Sequence, residues 1–228
     1  MKYDSISEIG TRRQQFFEYF RDRLKTATRS DLPKPDRLVL LTASLAALSD
    51  HWHATADRVT TPAQSNGLER MRLFLVRHGA HPAFEKVSAP MFRNATGREV
   101  GTFPFASYQS AQVQFNEVRN WEADPNFSDL ESGVEDRNTL LRWSYGGILY
   151  VDFRCAWMHK LFPENEDIVY ADTNNFDLDE PYYRYQYSSG TGKFLLVMPV
   201  PFLSATLNRA IESFEREAET RNILPLKL

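Results

Sequence analysis

Cysteine is almost absent from this chain, and two other features that would assign a class are missing. Cys155 is the single cysteine among 228 residues, which excludes an intramolecular disulfide. No apolar run is long enough to span a bilayer, and no signal peptide is recognisable. We therefore expect a cytoplasmic protein that does not associate with a membrane.

The chain also lacks a large excess of positive or negative charge. The formal net charge is -3, so any nucleic acid would have to be bound by a local basic cluster. Internal repeats and low-complexity tracts are absent, and neither a solenoid nor a flexible tail is indicated. His51 and His53 do not predict a metal site, because residues two apart on a helix point in nearly opposite directions. We assign no metal and no cofactor.

What the chain does contain is ordinary globular material, with 42% hydrophobic and 25% charged residues. Apolar residues at helical spacing predict a helix to about Thr28, a second from about Asp36, and a third that Gly79 ends. Further helices are expected after Phe105, across 135–162 and from Pro201 to Asn222. The basic residues of the first helix fit a solvated face or an RNA-contacting face.

A β-hairpin is predicted just before the last helix. Tyr183, Tyr185 and Tyr187 alternate along one strand, a Ser-Gly-Thr-Gly turn follows, and an apolar strand ends at Pro199. The remaining segments, including the acidic stretch 163–180, are expected to be loop, with one short helix between Pro82 and Phe105. The fold prediction is an all-α bundle of about five helices with one hairpin, forming a single domain over 1–228.

The long apolar stretch 135–162 contains the pattern Arg-x4-His, formed by Arg154 and His159. A buried helix seldom holds both a guanidinium and an imidazole without a reason. Spacing alone is weak, since Arg72 and His78 form a similar pair in the same chain. The pair at 154 and 159 therefore has to be interpreted with the sequence around it.

The run LLRWSYGGILYVDFRCAWMHK, followed by an acidic loop, an aromatic hairpin and an amphipathic helix, resembles the higher eukaryotes and prokaryotes nucleotide-binding (HEPN) superfamily in its stand-alone prokaryotic branch. The resemblance is clearest over 135–222. It implies a metal-independent endoribonuclease in which two copies bring their Arg-x4-6-His motifs into one cleft. It also implies a toxin or antiphage role, with RNA as substrate and a cognate antitoxin or defence partner.

Residue roles follow from the same resemblance. Arg154 would bind the scissile phosphate, and His159 would transfer protons to leave a 2′,3′-cyclic phosphate and a 5′-hydroxyl. Asp152 would orient the imidazole of His159, because the two residues lie seven apart on one helix face. Residues expected to support the site or to contact the nucleotide are Tyr150, Cys155, Trp157 and Lys160.

Two features of the sequence strain this interpretation. Arg154 and His159 are five residues apart, about 140° round an α-helix, so the arginine must reach around, the helix must distort, or a second protomer must complete the site. The residue after the arginine is often polar in active members, whereas here it is Cys155, whose thiol is a poor hydrogen-bonding group.

Three other interpretations of these motifs are considered. A non-catalytic HEPN-like adaptor would bind a nucleotide, RNA or a protein through the same cleft. In a purely structural interpretation, Arg154 forms a core salt bridge and His159 marks the end of the helix. Finally, Leu75-Val76-Arg77-His78-Gly79 resembles the phosphate-binding motif of the histidine phosphatases, in which the motif follows a strand.

Overall fold

The computed structural model describes residues 6–55, 66–105, 121–133, 136–156, 166–171, 179–185 and 193–223. Within these ranges the chain forms eight α-helices. Their bounds are α1 Ile6–Ala27, α2 Lys34–Thr55, α3 Gly67–His78, α4 Ala89–Thr96, α5 Phe127–Glu131, α6 Arg137–Trp143, α7 Tyr145–Ile148 and α8 Val200–Thr220. Short 3-10 turns occur at Pro82–Glu85 and Trp121–Ala123, and a π-helix spans Leu149–Cys155.

Helices α1, α2, α3 and α8 pack against one another around an aromatic core. Phe17 of α1, Phe74 of α3 and Phe214 of α8 are fully buried. Their rings meet in edge-on contacts. The ring centroid of Phe214 lies 5.4 Å from that of Phe17 and 6.1 Å from that of Phe74. The apolar faces read from the sequence are therefore the faces that the helices bury.

Helix α3 ends where the sequence predicts, but for a reason other than a left-handed turn. Gly79 has a φ of -72°, which any residue can adopt. A Cβ at this position would lie 2.6 Å from the carbonyl oxygen of Leu75 and 2.7 Å from the ring of Phe84. Glycine is needed here for the close approach of neighbouring atoms.

A three-stranded sheet stands beside the helices in the order β1 (Ile168–Ala171), β3 (Phe194–Pro199), β2 (Tyr182–Tyr185). Strands β2 and β3 are antiparallel, with Tyr183 opposite Leu196, as the hairpin prediction requires. The predicted turn and Tyr187 lie outside the described residues.

Strand β1 corrects the sequence prediction, which treats 163–180 as loop. It pairs in parallel with β3, placing Ile168 opposite Leu196, and its isolated length of four residues gives little local signal. The mostly helical bundle is confirmed, whereas the count of about five helices is too low. None of the helices among the described residues has the length and apolar character that a membrane crossing demands.

Candidate functional site around Arg154

The stretch that carries Arg154 is not one continuous helix. Helix α6 stops at Trp143, and Ser144 adopts an extended conformation before α7 begins. The Ser144 hydroxyl accepts a hydrogen bond from the amide of Gly147 at 3.1 Å and so caps the new helix. A Cβ on Gly147 would lie 1.9 Å from the carbonyl oxygen of Leu141, so the break leaves room only for glycine.

After α7 the chain continues as a π-helix from Leu149 to Cys155. The amide of Ala156 donates to the carbonyl of Val151, five residues back. Hydrogen bonds over five residues bring side chains at that spacing closer to one line than an α-helix does. A helix distortion, one of the three ways to reconcile the Arg-x4-His spacing, is therefore present up to Cys155, while His159 lies outside the described residues.

Arg154 stands near the end of this π-helix with its guanidinium partly open to solvent. The guanidinium lies over the ring of Tyr150, 5.2 Å from its centroid, and Nη1 donates to Sγ of Cys155 at 3.5 Å. Within the described ranges, no carboxylate lies within salt-bridge distance of Arg154. Its hydrogen bond with Cys155 is the main cause of a raised pKa, so the side chain stays charged and keeps N–H donors for a ligand.

Tyr150 is held in place by the first turn of α3. A Cβ on Gly67 would lie 2.1 Å from the tyrosine hydroxyl, so the ring fits only because residue 67 is glycine. Arg70 of the same turn donates to Asp50 at 2.9 Å, and Asp50 adds a weaker attraction for Arg154. Gly67 gave no functional signal in the sequence because its role depends on a contact made 83 positions away.

Asp152 lies in the core beside an arginine. It is fully buried at 0% exposure, and both carboxylate oxygens accept from Arg142, at 2.8 and 2.7 Å. Arg142 also stacks over Trp143, with its guanidinium carbon 4.1 Å from the ring centroid. The predicted contact between Asp152 and His159 lies outside the described residues, as do Trp157 and Lys160.

Arg142 is the residue that sequence reasoning missed. It lies ten positions before Asp152, on the other side of the break at Ser144, so no helical spacing rule relates the two. The salt-bridge reading of the sequence named Arg154 and a carboxylate. The structure instead pairs Arg142 with Asp152 and leaves Arg154 without a carboxylate among the described residues.

The second motif, Arg77-His78, does not have the setting of a phosphatase site. It closes helix α3 and does not follow a strand. His78 is 2% exposed, and its Nδ1 lies 3.0 Å from the hydroxyl of Ser213. Arg77 donates twice to Glu217, at 2.8 and 2.9 Å. Burial among aromatic rings lowers the pKa of His78 to about 4, which marks a neutral core histidine.

Comparison with known proteins adds no relative to this picture. No protein family, no curated protein and no solved structure matches the chain.

Proposed function

We propose that this protein is a metal-independent endoribonuclease of HEPN type, acting as a homodimer with a composite site built from Arg154 and His159. The observation that carries the proposal is the state of Arg154. It is a charged guanidinium at the end of a π-helix, stacked on Tyr150, without a carboxylate partner in the described part of the chain. The mostly helical bundle is the fold that the resemblance implies.

In this proposal Arg154 binds a non-bridging oxygen of the scissile phosphate and stabilises the charge that grows there. A planar guanidinium suits this role, because two of its N–H groups can donate in parallel to one phosphate. Tyr150 holds the guanidinium by stacking and by its own contact with Gly67. The hydrogen bond to Cys155 engages one nitrogen, Nη1, which leaves donors on the other side of the fork.

His159 supplies the proton transfers. It takes the proton of the ribose 2′-hydroxyl, whose oxygen attacks the phosphorus while the bond to the 5′-oxygen breaks, and a histidine returns a proton to that oxygen. The products are a 2′,3′-cyclic phosphate and a 5′-hydroxyl. Trp157 and Lys160 are proposed to contact the neighbouring nucleotides, by stacking and by charge.

The test is cleavage of single-stranded RNA in the presence of a chelator. Arg154→Ala and His159→Ala should each reduce the rate by about 100-fold or more, with products that carry a free 5′-hydroxyl. Arg29→Ala is the matched control, since Arg29 is an exposed arginine paired with Asp31. Cleavage that survives both substitutions would end the assignment.

A toxin or antiphage role extends the proposal to the cell. Expression of the intact protein should arrest growth, whereas Arg154→Ala should not. A cognate antitoxin or defence partner would relieve the arrest when the two are expressed together. Growth arrest that persists with Arg154→Ala would separate toxicity from this site.

A non-catalytic adaptor is the second candidate, and two contacts favour it. Cys155 takes one donor of Arg154 where a more polar residue would be expected, and Asp152 is engaged by Arg142. The adaptor predicts binding of labelled RNA or nucleotide that Arg154→Ala weakens, without any cleavage over many hours. Turnover that depends on Arg154 would reject it.

A further inference from the structure

Four oxygen-bearing side chains meet in the core, away from Arg154. They come from four separate parts of the chain: Ser88 before α4, Asp124 after the Trp121–Ala123 turn, Tyr145 at the start of α7, and Tyr183 on β2. Ser88 and Tyr145 are 0% exposed, Tyr183 is 1% exposed and Asp124 is 3% exposed. The proposed ribonuclease chemistry does not use any of them.

Three of the oxygens form a closed triangle. Oδ2 of Asp124 lies 2.8 Å from the hydroxyl of Tyr145 and 2.6 Å from that of Tyr183, and the two tyrosine hydroxyls are 2.7 Å apart. A fourth contact of 2.5 Å joins the Tyr183 hydroxyl to Ser88. Each of these separations is within hydrogen-bond distance.

Counting hydrogens decides the state of the carboxyl group. The Tyr183 hydroxyl carries one hydrogen but lies at hydrogen-bond distance from both Oγ of Ser88 and Oδ2 of Asp124. With an ionised Asp124, one of these two oxygen pairs would have no hydrogen between them. A protonated Asp124 donates to Tyr183 and leaves the Tyr183 hydrogen for Ser88.

With a protonated Asp124 each donor of the cluster has an acceptor. Tyr145 donates to Oδ2 of Asp124, and the protonated Oδ2 donates to the hydroxyl of Tyr183. Tyr183 then donates its own hydrogen to Oγ of Ser88. The remaining carboxyl oxygen, Oδ1, accepts from the amide of Ala89 at 3.0 Å.

The charged groups around the cluster do not replace the proton. Lys86 is the cation facing Asp124 among the described residues, and its ammonium group donates to the backbone carbonyls of Glu122 and Asp124, at 3.0 and 2.7 Å. The side chain of Glu122 is exposed. Glu180, on the β2 side, accepts from the indole of Trp121 at 2.9 Å. No arginine or lysine in the described ranges bonds to the Asp124 carboxyl oxygens.

We propose that Ser88, Asp124, Tyr145 and Tyr183 form a proton-dependent clamp, in which Asp124 holds a proton in the folded protein and loss of that proton loosens the joint between α4, α7 and β2. Burial independently raises the pKa of Asp124 to about 7, and it raises those of both tyrosines well above their ordinary value. The proton is therefore lost from Asp124, and near neutral pH.

Loosening the clamp would affect two regions next to it. The Asp124 segment lines a pocket of about 510 Å³, which Gly101, Thr102 and Pro104 also line. Tyr145 begins the helix that leads into the π-helix of Arg154. A change of pH across neutrality would thus reach both the pocket and the start of the candidate site.

The direct test is the carbon-13 signal of the Asp124 carboxyl group in the wild-type protein, followed from pH 5 to pH 9. We expect the shift of a protonated carboxyl at pH 5 and a titration with a midpoint near 7. The Asp152 signal of the same sample is the internal control, because its partner is Arg142, and it should show a carboxylate throughout. An Asp124 signal that reports a carboxylate at pH 5 overturns the proposal.

A second measurement uses Asp124→Asn, whose amide can donate and accept as the protonated carboxyl does. The folding equilibrium constant of the wild type relative to this variant should fall as the pH rises, by up to about tenfold per pH unit between 4 and 7. Histidine titrations are common to both proteins and cancel in the ratio. A ratio that is flat with pH, or that rises, contradicts the clamp.

Discussion

Asp152 and Asp124 are two fully buried aspartates whose surroundings differ in charge. Asp152 faces Arg142, which donates to both of its oxygens, whereas Asp124 faces two tyrosines and a backbone amide. A buried carboxylate needs a counter-charge, and a carboxyl without one takes a proton instead. The same residue type therefore acts as half of a salt bridge in one place and as a hydrogen-bond donor in the other.

Replacing the aspartate by asparagine should separate the two environments most clearly. Asp152→Asn removes the negative charge and leaves Arg142 without a partner, which should cost about 3 kcal/mol in the free energy of unfolding. Asp124→Asn at pH 4, where the protonated carboxyl and the amide can make the same hydrogen bonds, should change the same quantity by less than about 1 kcal/mol. Urea denaturation of both variants measures the difference, and equal costs would show that the two sites do not differ in charge state.

His78 is a third buried titratable group. Its contribution to the free energy of unfolding changes with pH in the opposite direction to that of Asp124. Its pKa is lowered from 6.5 to about 4, so the stability that neutral His78 provides is complete above pH 6.5 and is lost as the pH falls towards 4. The loss should amount to about 3 kcal/mol. Asp124 works the other way, because its raised pKa favours the folded state at low pH.

The variant His78→Phe should reveal this opposition. Phenylalanine keeps the ring contacts with Trp52, Phe74 and Phe214 but does not titrate. Between pH 4 and pH 7 the unfolding free energy of the variant, taken relative to the wild type, should decline by about 3 kcal/mol, because the titration of His78 is removed and the other groups are common to both proteins. A variant whose pH dependence matches that of the wild type would assign the effect to other groups.

The salt bridge itself should be dispensable if both charges are removed together. Asp152→Leu combined with Arg142→Met fills similar space, and the methionine keeps the stem that packs near Trp143. We expect the double variant to lie within about 1 kcal/mol of the wild type, well above Asp152→Asn. A double variant as unstable as the single one would mean that shape, and not an unpaired charge, dominates.

Arg154→Ala should have the smallest effect on stability of the changes considered. Its guanidinium has no carboxylate partner in the described part of the chain and is partly open to water, so truncation should cost less than about 1 kcal/mol. Arg142→Ala should cost more, because Asp152 is left buried and unpaired. Thermal unfolding of the two variants, set beside their RNA cleavage, distinguishes an arginine that supports the fold from one kept for a ligand.

The sequence predicts the helices whose signal is local. The apolar faces of α1 and α8 repeat at helical spacing, and both are found buried as expected. The break at Ser144 has a local signal, since a serine with glycines two and three positions after it, Gly146 and Gly147, is a poor helix interior and a good helix start. The apolar content of the stretch favoured a single helix, and packing against neighbouring segments favoured the break.

Contacts between distant positions could not be predicted in this way. Tyr183 reaches Asp124 across 59 positions and Ser88 across 95, so no periodicity relates them. Strand β1 is four residues long and exists because β3 is its neighbour. A sequence motif identifies Arg154. The placement of Tyr150 against its guanidinium, and of Gly67 against Tyr150, depends on how α3 packs against the π-helix.

The lone cysteine has a practical consequence for work on this molecule. Cys155 is partly accessible, and its sulfur lies 3.5 Å from Nη1 of Arg154. A thiol-directed fluorophore or spin label added to the unmodified chain will therefore attach at one position, beside the proposed phosphate-binding group. Protection of that thiol by RNA would map the ligand to this corner of the bundle without a single engineered residue.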